Sequence, residues 1–194
     1  MQRQIVVQKL IKRLNDRIKN QLNLNKTLIL GVVLKGLPIA YSLAKINSVI
    51  ENFVPIVAQR HTSMQHYVES YFPSLEWKNY FNEQLTLCKN LLVVDDVVNT
   101  GFTKQRVESI VHSLNNPHYR FGALVLNRKN LANSSFVSAR DFFAMEVEAA
   151  EVECDWGLIT VSLLDLPVEE ARLRCEEYLQ KYWLHEKRMI TIIY

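Results

Sequence analysis

The chain has 194 residues, 48% of them hydrophobic and 22% charged, with 23 basic side chains against 20 acidic ones and a formal charge of +3. That length accommodates one domain, residues 1–194, with a core of its own. The mild charge permits an anionic ligand without calling for nucleic acid, since there is no dense basic face. Cys88, Cys154 and Cys175 are far apart and odd in number, which excludes a disulfide framework and a CxxC site and points to a reducing compartment. Five histidines lack metal-ligand spacing, no apolar run is long enough to span a membrane, and the N-terminus lacks the apolar core of a signal peptide. The expected location is the cytoplasm.

In chain order, Ile5, Leu10, Ile11, Leu14, Ile18 and Leu22 recur at helical spacing and predict an amphipathic helix over residues 3–22. Thr27 to Leu34 is almost wholly apolar and predicts a strand buried on both faces. Gly36 to Ala44 reads as a loop entering a helix, and Phe53 to Ala58 as a second strand. Residues 59–86 are polar and aromatic with weak periodicity, and predict a long functional or mobile connection. Leu91 to Val94 is a third strand, followed by a tight loop, a helix over about 103–114, and a fourth strand from Arg120 to Leu126. Strand–helix alternation predicts a mainly parallel sheet with helices on both faces.

After Asn127 the pattern changes. Residues 128–166 predict irregular structure with short strands, Val168 to Trp183 a helix opened by Pro167 and two acids, and Met189 to Tyr194 a final strand. That strand is expected to pair with the C-terminal subdomain or with another chain. A core over about 25–127 and a hood over about 128–194 follow.

The chemistry concentrates after the third strand. Asp95 and Asp96 stand at its carboxyl end, where open parallel sheets bind ligands, and Asn99-Thr100-Gly101-Phe102-Thr103 turns into a helix. Gly101 permits a sharp turn and close approach of backbone. Thr100 and Thr103 offer hydroxyls, and the helix start offers free N–H groups and the positive end of its dipole. An acid pair alone is often a solvated loop, and a Thr alone is often an N-cap. The whole run is far more specific, and it describes a phosphate cradle beside carboxylates able to hold Mg²⁺ through water.

The run Val93 to Thr103 resembles the signature of the type I phosphoribosyltransferases: apolar strand, two acids, two apolar residues, a variable position, then Thr-Gly-x-Thr. The resemblance implies a flavodoxin-like α/β fold with a small hood made from the C-terminal third, either alone or together with the N-terminal helix. It also implies phosphoribosyl pyrophosphate as donor and a nitrogenous base as acceptor. Asp95 and Asp96 would bind the ribose hydroxyls and orient Mg²⁺, and residues 99–103 would hold the 5-phosphate. Leu34-Lys35-Gly36 is similar to the pyrophosphate loop of hypoxanthine-type members, with Leu37 in place of their second Gly; taken alone it is an exposed Lys before a turn. Residues 59–86 occupy the place of the family's closing loop and carry Arg60, His61, Ser63 and Lys78.

On the base side, Trp156 matches the hood aromatic that stacks on a purine, with an ordinary core Trp as the alternative, and Asp155 and Gly157 flank it. The purine enzymes place a base-contacting Asp where this chain has Asn99. They place a Lys that reads the purine 6-oxygen where it has Asn127, followed by Arg128 and Lys129, with Lys129 as the alternative occupant. The phosphoribosyl half of the site therefore matches and the base half departs. A homodimer or higher homo-oligomer is expected. Two rival readings share features: a regulatory RNA-binding protein of this fold, like the pyrimidine-operon attenuators, and a phosphorylation-dependent receiver domain. The receiver has no use for Thr-Gly-x-Thr.

Overall fold

The computed structural model describes residues 1–33, 35–58, 71–113, 118–154, 156, 166–178, 180–181 and 188–194. Five strands form one parallel sheet: β2 (Thr27–Val32), β3 (Phe53–Ile56), β4 (Asn90–Val98), β5 (Tyr119–Asn127) and β6 (Phe142–Val147), in the order β3-β2-β4-β5-β6. Every residue of β2 is buried, as its unbroken apolar run requires of a strand covered on both faces. Helices α1 (Val7–Lys19), α2 (Gly36–Ile46), α3 (Leu75–Leu87) and α4 (Phe102–Ser113) flank the sheet. Counted within the sheet, this is the flavodoxin-like order 2-1-3-4-5, whose direction of winding reverses between β2 and β4. Gly31 of β2 is in register with Val94 of β4, so the segments leaving both strands emerge side by side at that reversal.

A second, antiparallel sheet forms the hood: β1 (Gln2–Val6), β8 (Met189–Ile193) and β7 (Glu151–Cys154), with β8 in the middle. Ile190 and Ile192 are fully buried, and Ile5, Val152 and Cys154 pack with the core, while Gln2, Gln4, Glu151 and Glu153 are exposed. This is the alternation expected of a sheet covered on one face. The final strand thus pairs inside the hood on both of its edges.

Several boundaries differ from the sequence expectation. The helix predicted over 3–22 is preceded by strand β1, because residues 2–6 find a partner strand at the other end of the chain. Phe142–Val147 belongs to the main sheet as its fifth strand, so the hood is built from both chain ends and not from residues 128–194 alone. Residues 75–87, predicted as loop, are helix α3. Ser74 caps it by accepting from the Trp77 N–H at 3.3 Å, and Trp77 and Phe81, one turn apart, are its buried residues. Two large aromatics anchor the helix where a full apolar stripe is missing: Trp77 meets the Phe53 ring edge-on at 6.4 Å, and Phe72 packs on Phe81 at 4.9 Å. The C-terminal helix α5 is Val168–Tyr178, and Trp183, where that helix was expected to end, lies outside the described residues. Its Glu176 accepts hydrogen bonds from Tyr41 and Lys45 of α2, which docks it against the core. None of the described helices is long and apolar enough to cross a membrane, and all three cysteines are free.

Candidate active site at the carboxyl edge of the sheet

Val93 and Val94, both fully buried in the central strand, lead directly into Asp95 and Asp96. The strand continues to Val98, so Asp95 is still paired in register with Ala123 and the residue is buried, only 7% exposed. Its Oδ1 accepts from the Asp96 N–H at 2.9 Å. Burial first, and then the neighbouring Asp96 charge, hold the Asp95 carboxyl well above the ordinary range, with Lys35 pulling the other way. A buried carboxylate beside a second one is complementary to a cation. The donors are all oxygen, and among the described residues no cluster of three or more His, Cys, Asp or Glu forms a complete metal cage. That set fits Mg²⁺ held by one or two carboxylates together with water and ligand oxygens.

Cys154 of β7, which the sequence reading did not single out, neighbours this pair: burial first, and then the nearby Asp96, push its thiol up. No local pattern could reveal it, because the contact joins two different sheets.

Residues 99–103 form the turn between β4 and helix α4 and the opening of that helix. Gly101 has φ +86°, a conformation that favours glycine, and a Cβ there would stand 2.8 Å from the Phe136 ring. Helix α4 begins at the next residue. A cavity of about 90 Å³ is lined by Asp95, residues 97–101, Thr103 and Lys104. Phe102 is half exposed and packs on Phe136 at 6.0 Å. Lys104 is basic but belongs to the core: it is buried, paired with Glu108 and with Asp141 at 3.2 Å, and lies 5.7 Å from the centre of the Phe121 ring. From behind, the Ala132 N–H donates to the Thr100 carbonyl at 3.1 Å.

Lys35 and Gly36 follow β2 and meet the acid pair across the strand gap. A Cβ on Gly36 would stand 2.4 Å from the Val94 carbonyl oxygen and 2.8 Å from Asp95 Cα, so only glycine fits. Lys35 is half-buried, makes no ion pair within 4 Å among the described residues, and lines a cavity of about 430 Å³ with Glu151–Cys154 and Thr191. Leu34 lies outside the described residues.

The base half differs from expectation. Trp156 is buried, and its indole Nε1–H donates to the Lys35 carbonyl at 3.2 Å. It ties the hood to the Lys35 turn and offers no open face for stacking. Asn127 is fully buried with every side-chain polar atom engaged. It donates to Asn99 Oδ1 (3.0 Å) and to the Ala149 carbonyl (3.0 Å), and accepts from the Ala149 N–H (3.1 Å). The amide braces the loop, both of its N–H donors are committed, and burial closes it off from a base. Lys129 is exposed on a short turn, Arg128–Asn130, after β5. Asn130, missed by the sequence reading, donates to Asn99 Oδ1 (3.1 Å) and to the Ala150 carbonyl (3.0 Å). Asp155, Gly157, Arg60, His61 and Ser63 lie outside the described residues, and Lys78 is on the exposed face of α3.

Residues 2–139 match the family model described as phosphoribosyl transferase domain. The chain is similar to a crystal structure of a purine phosphoribosyltransferase from Pyrococcus horikoshii Ot3, with 20% identity, a TM-score of 0.50, and 73% of this chain and 83% of that one covered. It is also similar to a hypoxanthine-guanine phosphoribosyltransferase (hpt-2) from Bacillus anthracis str. 'Ames Ancestor', in two crystal structures. The one with a HEPES molecule in its active site gives 11% identity, a TM-score of 0.51, and coverage of 77% and 86%. The other gives 10% identity, a TM-score of 0.50, and coverage of 96% and 94%. No curated protein sequence matches the chain. At these identities the structural likeness speaks for the fold.

Proposed function

The chain belongs to the phosphoribosyltransferase domain family, and from that premise we propose that it transfers the 5-phosphoribosyl group of phosphoribosyl pyrophosphate to a ring nitrogen of a base, in nucleotide salvage or synthesis. One observation carries the reading. Gly36 packs against Asp95 at the winding reversal of the sheet, bringing the Lys35 turn, the acid pair and the 99–103 loop to one place. A diphosphorylated pentose needs those three functions at once: a cradle for its 5-phosphate, acceptors for its hydroxyls, and positive charge at its pyrophosphate.

In this reading the 99–103 loop receives the 5-phosphate on the backbone N–H groups that open α4 and on the Thr100 and Thr103 hydroxyls. Asp95 and Asp96 accept from the two ribose hydroxyls, which fixes the sugar's rotation and presents the anomeric carbon. The base nitrogen's lone pair forms the new bond while the bond from the anomeric carbon to the pyrophosphate oxygen breaks; that bond's electrons leave with pyrophosphate, and the N–H proton shed by the base passes to pyrophosphate or solvent. Lys35, which makes no ion pair within 4 Å among the described residues, would meet the negative charge that accumulates on the leaving pyrophosphate. Mg²⁺ bound at Asp95 and Asp96 would neutralise the pyrophosphate. Three free cysteines fit a reducing compartment such as the cytoplasm.

Calorimetric titration with phosphoribosyl pyrophosphate, with and without Mg²⁺, tests the proposal. Mg-dependent binding is expected, and absence of binding in both conditions sinks it.

A further inference from the structure

We infer that Asn99 is an obligate hydrogen-bond donor to the ligand, held in that state by Asn127 and Asn130, so that the ligand atom facing it must be an acceptor. The inference rests on the function proposed above and deepens it at the same site.

Backbone groups fix the orientation of all three amides. Ala149 presents both its N–H and its carbonyl to Asn127, so Oδ1 of Asn127 must take the N–H and Nδ2 must serve the carbonyl. The second N–H of Asn127 then goes to Asn99. Asn130 is anchored likewise, because its Nδ2 donates to the Ala150 carbonyl and also to Asn99. Two donors that cannot turn around converge on one atom of Asn99, and that atom must be its oxygen. Turning the Asn99 amide over would set N–H against N–H twice. The Nδ2 of Asn99 makes no hydrogen bond among the described residues, the residue is exposed, and it lines the small cavity with Thr100, Gly101 and Thr103.

A donor without an acceptor, held rigidly at the lip of a binding cavity, discriminates between ligands. The atom it takes is a phosphate oxygen of the pentose phosphate, or a carbonyl oxygen or unprotonated ring nitrogen of the base. The chemistry is the same in either case. A base that turns an N–H toward this position meets a second donor and is rejected.

Asn99→Asp tests this cleanly. A carboxylate still accepts from Asn127 and Asn130, so the bracing survives, but the second oxygen now presents an acceptor. Affinity is measured by calorimetry for ribose 5-phosphate, phosphoribosyl pyrophosphate with Mg²⁺, inosine 5-monophosphate and uridine 5-monophosphate. Asn99→Asp is expected to weaken binding by about 10- to 150-fold. Loss already present with ribose 5-phosphate assigns the acceptor atom to the pentose phosphate, and loss confined to the nucleotides assigns it to the base. Asn130→Ala is expected to cost several-fold in wild type and nothing further in the Asn99→Asp background, a coupling that a merely structural Asn130 would not show. If Asn99→Asp binds all four ligands as tightly as the wild type, the inference falls alone. If the wild type binds none of them, the proposed function falls and takes the inference with it.

Discussion

Gly36 and Asp95 touch across the gap between β2 and β4: a Cβ on Gly36 would lie 2.8 Å from Asp95 Cα and 3.2 Å from its Oδ1. The Lys35–Gly36 turn and the acid pair are therefore one packed unit, and a change in either moves the other.

Gly36→Ala is the direct consequence. The methyl group meets backbone on β4, which has no flexible end to swing away, so the turn must shift outward. Overpacking of this kind costs about 1–3 kcal/mol, and the displaced Lys35 turn should weaken phosphoribosyl pyrophosphate more than ribose 5-phosphate. Denaturant unfolding and paired titrations check both. Equal losses for the two ligands would detach Lys35 from the pyrophosphate.

Asp95→Asn together with Asp96→Asn should abolish Mg-dependent ligand binding while the fold persists. The stability effect has a defined sign. The folded-state pKa of Asp95 is raised, so the folded form holds its proton after the unfolded chain has released it. Stability therefore falls as pH rises from the ordinary carboxylate range through the raised value, and the penalty is complete above it. The single change Asp95→Asn removes that slope and should stabilise the protein at neutral pH by about 0.5–2 kcal/mol. Melting curves across pH with Mg²⁺ excluded give the comparison, and a parallel pH dependence in wild type and variant would refute it.

Gly101→Val places a β-branched residue at φ +86° and drives its Cβ into Phe136. Backbone strain of about 1–3 kcal/mol should lower ribose 5-phosphate affinity sharply, while Phe102→Ala, which removes a half-exposed ring, should do little. Adding Phe136→Ala should recover part of the loss by relieving the collision, though not the dihedral strain. Full recovery would mean that φ at this position is unimportant.

Hypoxanthine and guanine are expected to be poor acceptors. The purine enzymes' Lys is replaced by Asn127, and that amide is buried with its donors already committed to Asn99 and Ala149. Losing a charge-assisted hydrogen bond to an exocyclic oxygen costs about 1.5–3 kcal/mol. Pyrophosphate release with hypoxanthine, guanine, xanthine, adenine, uracil and orotate decides the matter. Turnover of either 6-oxopurine with kcat/KM on the order of 10⁵ M⁻¹s⁻¹ would restore a purine acceptor.

The sequence by itself determined the elements whose signal is local. Buried parallel strands read as apolar runs at Thr27–Val32 and Leu91–Val94, and the acids and phosphate loop lie within one strand–loop–helix unit, so adjacency in the chain is adjacency in space. Helix α3 escaped because two aromatics do the work of an apolar stripe. Tertiary structure alone decided the rest. The hood joins residues 2–6 to residues 189–193, Phe142–Val147 enters the main sheet, Cys154 comes near Asp96, and Trp156 reaches the Lys35 carbonyl. Asn127 aligns with the family's base-reading Lys, just past a strand expected to end at Leu126, yet β5 extends to include it and buries it against Ala149. Each of these depends on which strands pair and in what register, and that is set by the packing of whole faces against one another rather than by the pattern of residues within any one segment.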